Sequence, residues 1–319
     1  MKQLSDYVAP SLALLTASLT VGCRTLGSGA YWVGMPFVYR DVDLPEKQVV
    51  RDVRYRSDAG ADDEKHRLDL FLPEAPVGWP VLVFVHGGGW TTGDKSLRVG
   101  GRDVYGNIGR FYAARGIGAA VISYRLQPGV EWTAQVDDVA RAVQWVHQHI
   151  GAYGGDPAAL FLAGHSAGAQ LAAHVALDAE RLARTGVPAE SVCGLIAVSG
   201  AALDLADEET YRLGASRAYY ERRFRNGDAG EGWKRAASPV HFARADAPPA
   251  LILYAEGEPP SFRRQAEVLD TALRGAGATS RVEQVPGENH YRMVPTLSRA
   301  DKLPAPAIER FIRDRHCGG

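Results

Sequence analysis

Two kinds of hydrophobic pattern divide the chain. Residues 49–55 and 66–72 alternate apolar and polar positions, the mark of half-exposed strands, and the polar stretch 58–64 between them predicts a hairpin turn. From residue 81 the apolar runs become continuous. Val81-Leu82-Val83-Phe84-Val85, 117–123, the run beginning at Leu160, the run ending at Val198 and 250–254 predict strands covered on both faces, with a last strand at 280–285. Between them the period changes. Val136, Val139, Ala140, Val143 and Val146 line one face of a helix at 135–150, and helices are also predicted at 104–115, directly after Ser166, at 262–275 and at 305–315. Strand and helix thus alternate from 81 to 198, which predicts a doubly wound, mostly parallel sheet of about eight strands with an antiparallel N-terminal edge. Residues 201–245 break that rhythm. They are charged and aromatic (Tyr211, Tyr219, Tyr220, Phe224 and Trp233) and without a strand period, so they predict an insertion serving as a small cap or pocket wall, or else a solvated helical decoration.

Composition adds little to the middle of the chain and more to its ends. At 319 residues, 46% hydrophobic and 23% charged, the chain has ample material for one extended α/β domain. With 36 Lys plus Arg against 37 Asp plus Glu, nothing in the charge points to nucleic acid. The first residues differ in kind. Residues 8–21 carry no charge and are too few to span a bilayer, which takes about 20 residues, but they fit the apolar core of a signal peptide. Leu19-Thr20-Val21-Gly22-Cys23 resembles a bacterial lipobox, although Thr20 stands where Leu is commonest and Asp6 offsets Lys2. The expectation is a signal peptide over 1–22, a lipid on Cys23 that holds the protein at the membrane of a bacterial cell envelope, a tether over 23–45 and a catalytic domain over 46–319; an ordinary cleaved signal, giving a periplasmic or secreted protein, or a short buried helix is the alternative. Cys193 and Cys317 are expected to be free thiols, because pairing a residue in a buried strand with one near the chain end needs a special geometry. No Cys/His cluster has metal-ligand spacing.

Candidate chemistry gathers at three strand ends, where ligands of such sheets bind. Gly164-His165-Ser166-Ala167-Gly168 follows an apolar run and precedes helix-favouring residues, the strand, sharp turn and helix context of a Gly-x-Ser-x-Gly nucleophile. A serine hydroxyl needs a base within hydrogen-bond reach, and His290, on the loop after Pro286-Gly287, is placed to be that base. His86-Gly87-Gly88-Gly89-Trp90 ends another strand. Three consecutive glycines there are costly in chain entropy unless backbone N–H groups must closely approach something, such as an oxyanion.

These motifs resemble those of the hormone-sensitive-lipase and carboxylesterase-like group of α/β-hydrolases over roughly residues 49–315, with Tyr124-Arg125-Leu126 matching a further segment. The resemblance implies the α/β-hydrolase fold and a serine carboxylesterase acting on small esters without a cofactor. It implies an oxyanion hole from the N–H groups of Gly88, Gly89 and Ala167, with Trp90 and His165 bordering the substrate. The acid departs from the pattern. Where the group has Asp, this chain reads Ala255-Glu256-Gly257-Glu258-Pro259-Pro260, so Glu258 is the expected third member and Glu256 the alternative. Phe262-Arg263-Arg264-Gln265 is similar to a segment of kynurenine-formamidase-like members, which leaves formamide hydrolysis as a second reading, and a binding protein with a failed triad as a third.

Overall fold

The computed structural model describes residues 39–314 except 59, 63, 228 and 229. The predicted signal peptide, Cys23, most of the tether and Cys317 lie outside the described residues. Eight strands form the main sheet: β1 (Val49–Arg54), β2 (Arg67–Phe71), β3 (Trp79–Val85), β4 (Gly118–Ile122), β5 (Gly155–His165), β6 (Val192–Val198), β7 (Ala250–Ala255) and β8 (Ser280–Val285). The helices are α1 (Val104–Ala113), α2 (Trp132–His149), α3 (Ala167–Leu177), α4 (Ala179–Arg184), α5 (Glu208–Arg212), α6 (Arg217–Phe224), α7 (Gly232–Ala237), α8 (Pro260–Gly275), α9 (Met293–Thr296) and α10 (Pro304–Arg313). Spatial order in the sheet is β1-β2-β4-β3-β5-β6-β7-β8. Only β2 runs against its neighbours, pairing antiparallel with both β1 and β4. The doubly wound α/β-hydrolase fold with an antiparallel N-terminal edge is therefore as expected.

The continuous apolar runs are explained by the two layers they serve. In β3, Val81, Val83 and Val85 join the core beneath α2, α3 and α8, while Leu82 and Phe84 join the core beneath α1, α9 and α10. Alternate residues of one strand thus serve opposite cores, and no position is left for a polar side chain.

Four expectations shift. β2 is buried rather than half-exposed, because β1 covers its edge and its polar residue Asp69 is neutralised in place by Lys95 Nζ at 3.1 Å and the Asp52 N–H at 2.8 Å. β5 begins at Gly155, earlier than the apolar run at Leu160. Its opening residue packs so closely on Trp79 that a Cβ there would stand 2.6 Å from the indole. α2 begins at Trp132, whose indole N–H donates to the Phe224 carbonyl at 3.0 Å, so a contact with the insertion sets the helix start. Lastly, Cys193 is disulfide-bonded rather than free. It is the second residue of β6, and Phe311 of α10 packs against its neighbour Gly194.

Candidate active site

Ser166 occupies the turn between β5 and α3 with φ 57° and ψ −119°, a conformation that L-residues rarely adopt and that costs about 1–3 kcal/mol. The surroundings hold it there. Its N–H donates to the Val198 carbonyl at 2.9 Å, and its own carbonyl accepts from Ala169 N at 3.0 Å. The flanking glycines answer a need for space: a Cβ on Gly164 would lie 2.2 Å from the Gly168 carbonyl oxygen, and one on Gly168 would lie 2.2 Å from that of Val85.

His290 reaches this serine from the loop after β8. Its Nε2 lies 3.0 Å from Ser166 Oγ, and its Nδ1 lies 2.6 Å from Glu258 Oε1. With Glu258 accepting from Nδ1–H, Nε2 is left as the acceptor for the serine proton. The other oxygen of Glu258 accepts from the Ala255 N–H at 2.7 Å, and the side chain is only 1% exposed. Glu256, the alternative acid, is exposed and does something else: its carboxylate accepts from Gly287 N at 2.8 Å, tying the acid loop to the histidine loop. Gly257 N adds a second tie to Glu288 O at 2.9 Å. Buried Glu288 anchors the histidine loop further through Lys302 at 3.1 Å and Arg292 at 3.3 Å.

His165 does not border an open pocket. It is 2% exposed, and its Nε2–H donates to the backbone carbonyl of His290 at 2.9 Å. The strand pleat turns the residue before Ser166 inward, where burial and the neighbouring His290 hold its pKa well below the ordinary histidine value. A neutral imidazole there acts as a strut behind the histidine loop.

The glycine loop leaves β3 with Gly88 at φ +120°, Gly89 at +59° and Trp90 at +64°. The Gly88 carbonyl is turned toward the N–H groups of Thr91 (3.2 Å) and Thr92 (3.0 Å). Among the described residues no backbone hydrogen bond uses the N–H of Gly88, Gly89 or Ala167. His86 secures the base of the loop: its Nδ1–H donates to the Gly87 carbonyl at 2.7 Å, its ring stacks on Tyr124 at 4.3 Å, and burial pushes its pKa down to about 4. Arg125, next to Tyr124, is gripped by fully buried Asp138 through Nε at 2.8 Å and Nη2 at 2.7 Å.

Trp90 is likewise not a pocket wall. At 1% exposure it is enclosed by Tyr219, Tyr220 and Phe224 of α6, and its indole N–H donates to Gln170 of α3 at 3.0 Å. The large ring closes the space between the glycine loop and the insertion, which removes it from solvent. Three contributors carry no motif in the sequence. Gln135 of α2 donates to both Trp90 O and Arg125 O at 2.8 Å. Arg223 of α6 donates through Nε to Gly89 O at 3.0 Å, and the Tyr219 hydroxyl sits 2.6 Å from where a Gly89 side chain would begin. A polar Gln135 on the apolar face of an otherwise regular helix was the one available signal.

A separate cavity of about 570 Å³ lies at the other end of the sheet, lined among others by Arg51, Arg98, Arg102, Arg110, Asp41 and Asp103. Within its lining Arg102 pairs with Asp41 at 3.7 Å, while Arg51 and Arg110 turn to Glu46 beside it, and it contains none of the residues above. Among the described residues no group of three or more His, Cys, Asp or Glu is arranged to hold a metal, and no helix is long and apolar enough to cross a membrane.

Known proteins resemble this chain to different extents. Esterase LipQ of Mycobacterium tuberculosis is 32% identical over 238 residues, covering 73% of this chain and 55% of that protein. A probable isoprenylcysteine alpha-carbonyl methylesterase of Oryza sativa subsp. japonica is 33% identical over 188 residues, 54% of this chain and 42% of its own. The chain thus spans about half the length of these relatives. In fold, it resembles esterase B from Lactobacillus rhamnosis, solved with a tributyrin phosphonate, with a TM-score of 0.68, 21% identity and 89% of each chain covered. The model of the α/β-hydrolase fold family matches residues 82–294, two-thirds of the chain and all three strand ends that carry the site, and the chain belongs to that family.

Proposed function

We propose that the protein is a serine carboxylesterase that hydrolyses small carboxylic esters through an acyl-enzyme on Ser166. The observation that carries this reading is the unbroken chain Ser166 Oγ, His290, Glu258, at 3.0 Å and 2.6 Å. As Oγ bonds to the ester carbonyl carbon, its proton passes to His290 Nε2 and the carbonyl electron pair moves onto oxygen. Glu258 stabilises the imidazolium. The N–H groups of Gly88, Gly89 and Ala167 donate to the new oxyanion, in a place where no reorganisation is needed. When the tetrahedral intermediate collapses, the carbon–oxygen bond to the alcohol breaks and the leaving oxygen takes the proton from Nε2. Water then adds by the same route: its proton goes to Nε2, its oxygen bonds to the acyl carbon, and the acid departs as Oγ recovers the proton. The esterase names of the sequence relatives support this reading. Hydrolysis of p-nitrophenyl acetate or butyrate tests it: Ser166→Ala should abolish turnover, and undiminished activity in that variant would remove Ser166 from the mechanism.

The reading extends to where the protein works. The lipobox-like Leu19-Thr20-Val21-Gly22-Cys23 supports lipid attachment at Cys23 and residence in a bacterial cell envelope, and the disulfide at Cys193 fits the oxidising conditions met outside the cytoplasm. A diacylglyceryl mass increment on Cys23, lost when lipoprotein processing is blocked with globomycin, is the expected result. An unmodified, freely released chain would refute the anchor. Residues 201–245, by packing on the glycine loop through Arg223 and Tyr219, support a role as a wall on the oxyanion side of the substrate.

A further inference from the structure

In the mechanism above His290 Nε2 hands its proton to the departing alcohol, so that alcohol must leave beside the imidazole, away from the oxyanion donors. Three rings surround the imidazole: His165 at 4.7 Å, Phe262 at 4.6 Å and an interplanar angle of 51°, and Tyr291 at 5.5 Å and 84°. His165 is sealed inside the protein, and the other two are not. Phe262 is partly buried in the first turn of α8, four residues after Glu258, and Tyr291 is 39% exposed directly after His290. Among the described residues four large apolar side chains are exposed, Val77, Tyr153, Tyr291 and Leu303, and Tyr291 alone of these adjoins the site. An exposed aromatic ring held at the rim of a reacting centre is a contact surface for something flat.

Resting on the serine esterase reading, we propose that Phe262 and Tyr291 form the leaving-group subsite, and that it selects esters whose alcohol carries a planar aromatic ring. Aromatic pairs gain from edge-to-face or offset contact beyond the area they bury, so a flat ring lodged beside Phe262 and Tyr291 gains what a saturated ring of equal size does not.

Benzyl acetate and cyclohexylmethyl acetate test this. Both release primary alcohols of nearly equal size, and comparing the ratio of their kcat/KM between wild type and variants separates the ring contact from the difference in ester reactivity, which the variants leave unchanged. The wild-type protein should favour the benzyl ester by about tenfold. Phe262→Leu and Tyr291→Leu should each lower that ratio, and the double variant should bring it near one. Because the ratio is taken within each variant, a general loss of turnover from disturbing His290 does not enter it. Equal turnover of the two esters by the wild type, or a preference that survives in the double variant, overturns the subsite while leaving the esterase reading intact. Failure to hydrolyse either ester, with Ser166 unreactive toward a fluorophosphonate, overturns both.

Discussion

Arg223 donates its Nε–H to the carbonyl oxygen of Gly89 at 3.0 Å, so one side chain of the insertion fixes the peptide between Gly89 and Trp90 at the end of the glycine loop. Its guanidinium also lies 3.5 Å above the Tyr219 ring, which holds the donor in place. Gly88 and Gly89 both adopt positive φ, where glycine is free to move, so the loop depends on such outside ties for its shape.

The first prediction concerns this tie. Arg223→Ala should lower kcat for p-nitrophenyl butyrate by about tenfold, the worth of one hydrogen bond from a charged donor, and change KM little, since the loop acts on the oxyanion rather than on the bound ester. Arg223→Lys, which can still donate to Gly89, should recover part of the loss. A large rise in KM with kcat unchanged would contradict a positioning role.

The two glutamates should separate cleanly. Glu258→Gln keeps the shape but presents either a neutral oxygen or an amide to Nδ1, and kcat should fall by up to about four orders of magnitude. Glu256→Gln leaves the triad intact and alters only an exposed brace to Gly287, so its effect should stay within about tenfold. Steady-state kinetics of both variants on one ester decide the matter, and the reverse ranking would make Glu256 the acid.

Much of this was legible in the sequence, for reasons local to the chain. Ser166 and the glycine loop each sit at the end of a strand that its own apolar run defines, His290 follows the alternating, partly polar β8, and the topology then brings the strand ends together. Glu258 could be ranked above Glu256 by position alone. Trp90 and His165 were misassigned because facing a pocket or the interior depends on the pleat of β5 and on how α6 docks, neither of which a motif records. Asp69 made β2 look half-exposed, since a carboxylate reads as solvent-facing until its partner Lys95, distant in sequence, is seen beside it. Arg223 gave no signal and Tyr219 only a general one as an aromatic of the insertion, because their position over Gly89 comes from the path of the insertion and not from any period within it.

Cys193 yields a chemical test of compartment. The chain has three cysteines. With Cys193 in a disulfide, denatured but unreduced protein should contain at most one thiol, and reduction should release two more. Cys193 labelled by iodoacetamide before reduction would show the bond to be absent and weaken the case for an oxidising location.

The last prediction is a stability that declines in mild acid. His86, His165 and His174 are all held below the usual 6.5, in each case chiefly by burial, and His86 is pushed down to about 4. Above pH 6.5 these rings are neutral in both folded and unfolded chains, so they cost nothing. As pH falls below 6.5 the unfolded chain takes up protons that the folded one refuses, and stability drops until the folded rings protonate, near pH 4 for His86. From His86 alone the loss across that window is on the order of 3 kcal/mol. Urea midpoints measured from pH 7 to pH 4 should therefore slide downward before the carboxylates begin to titrate. His86→Asn, whose amide can replace Nδ1–H as donor to the Gly87 carbonyl, should flatten the upper part of that slope. An unchanged slope in this variant would clear His86 as its source.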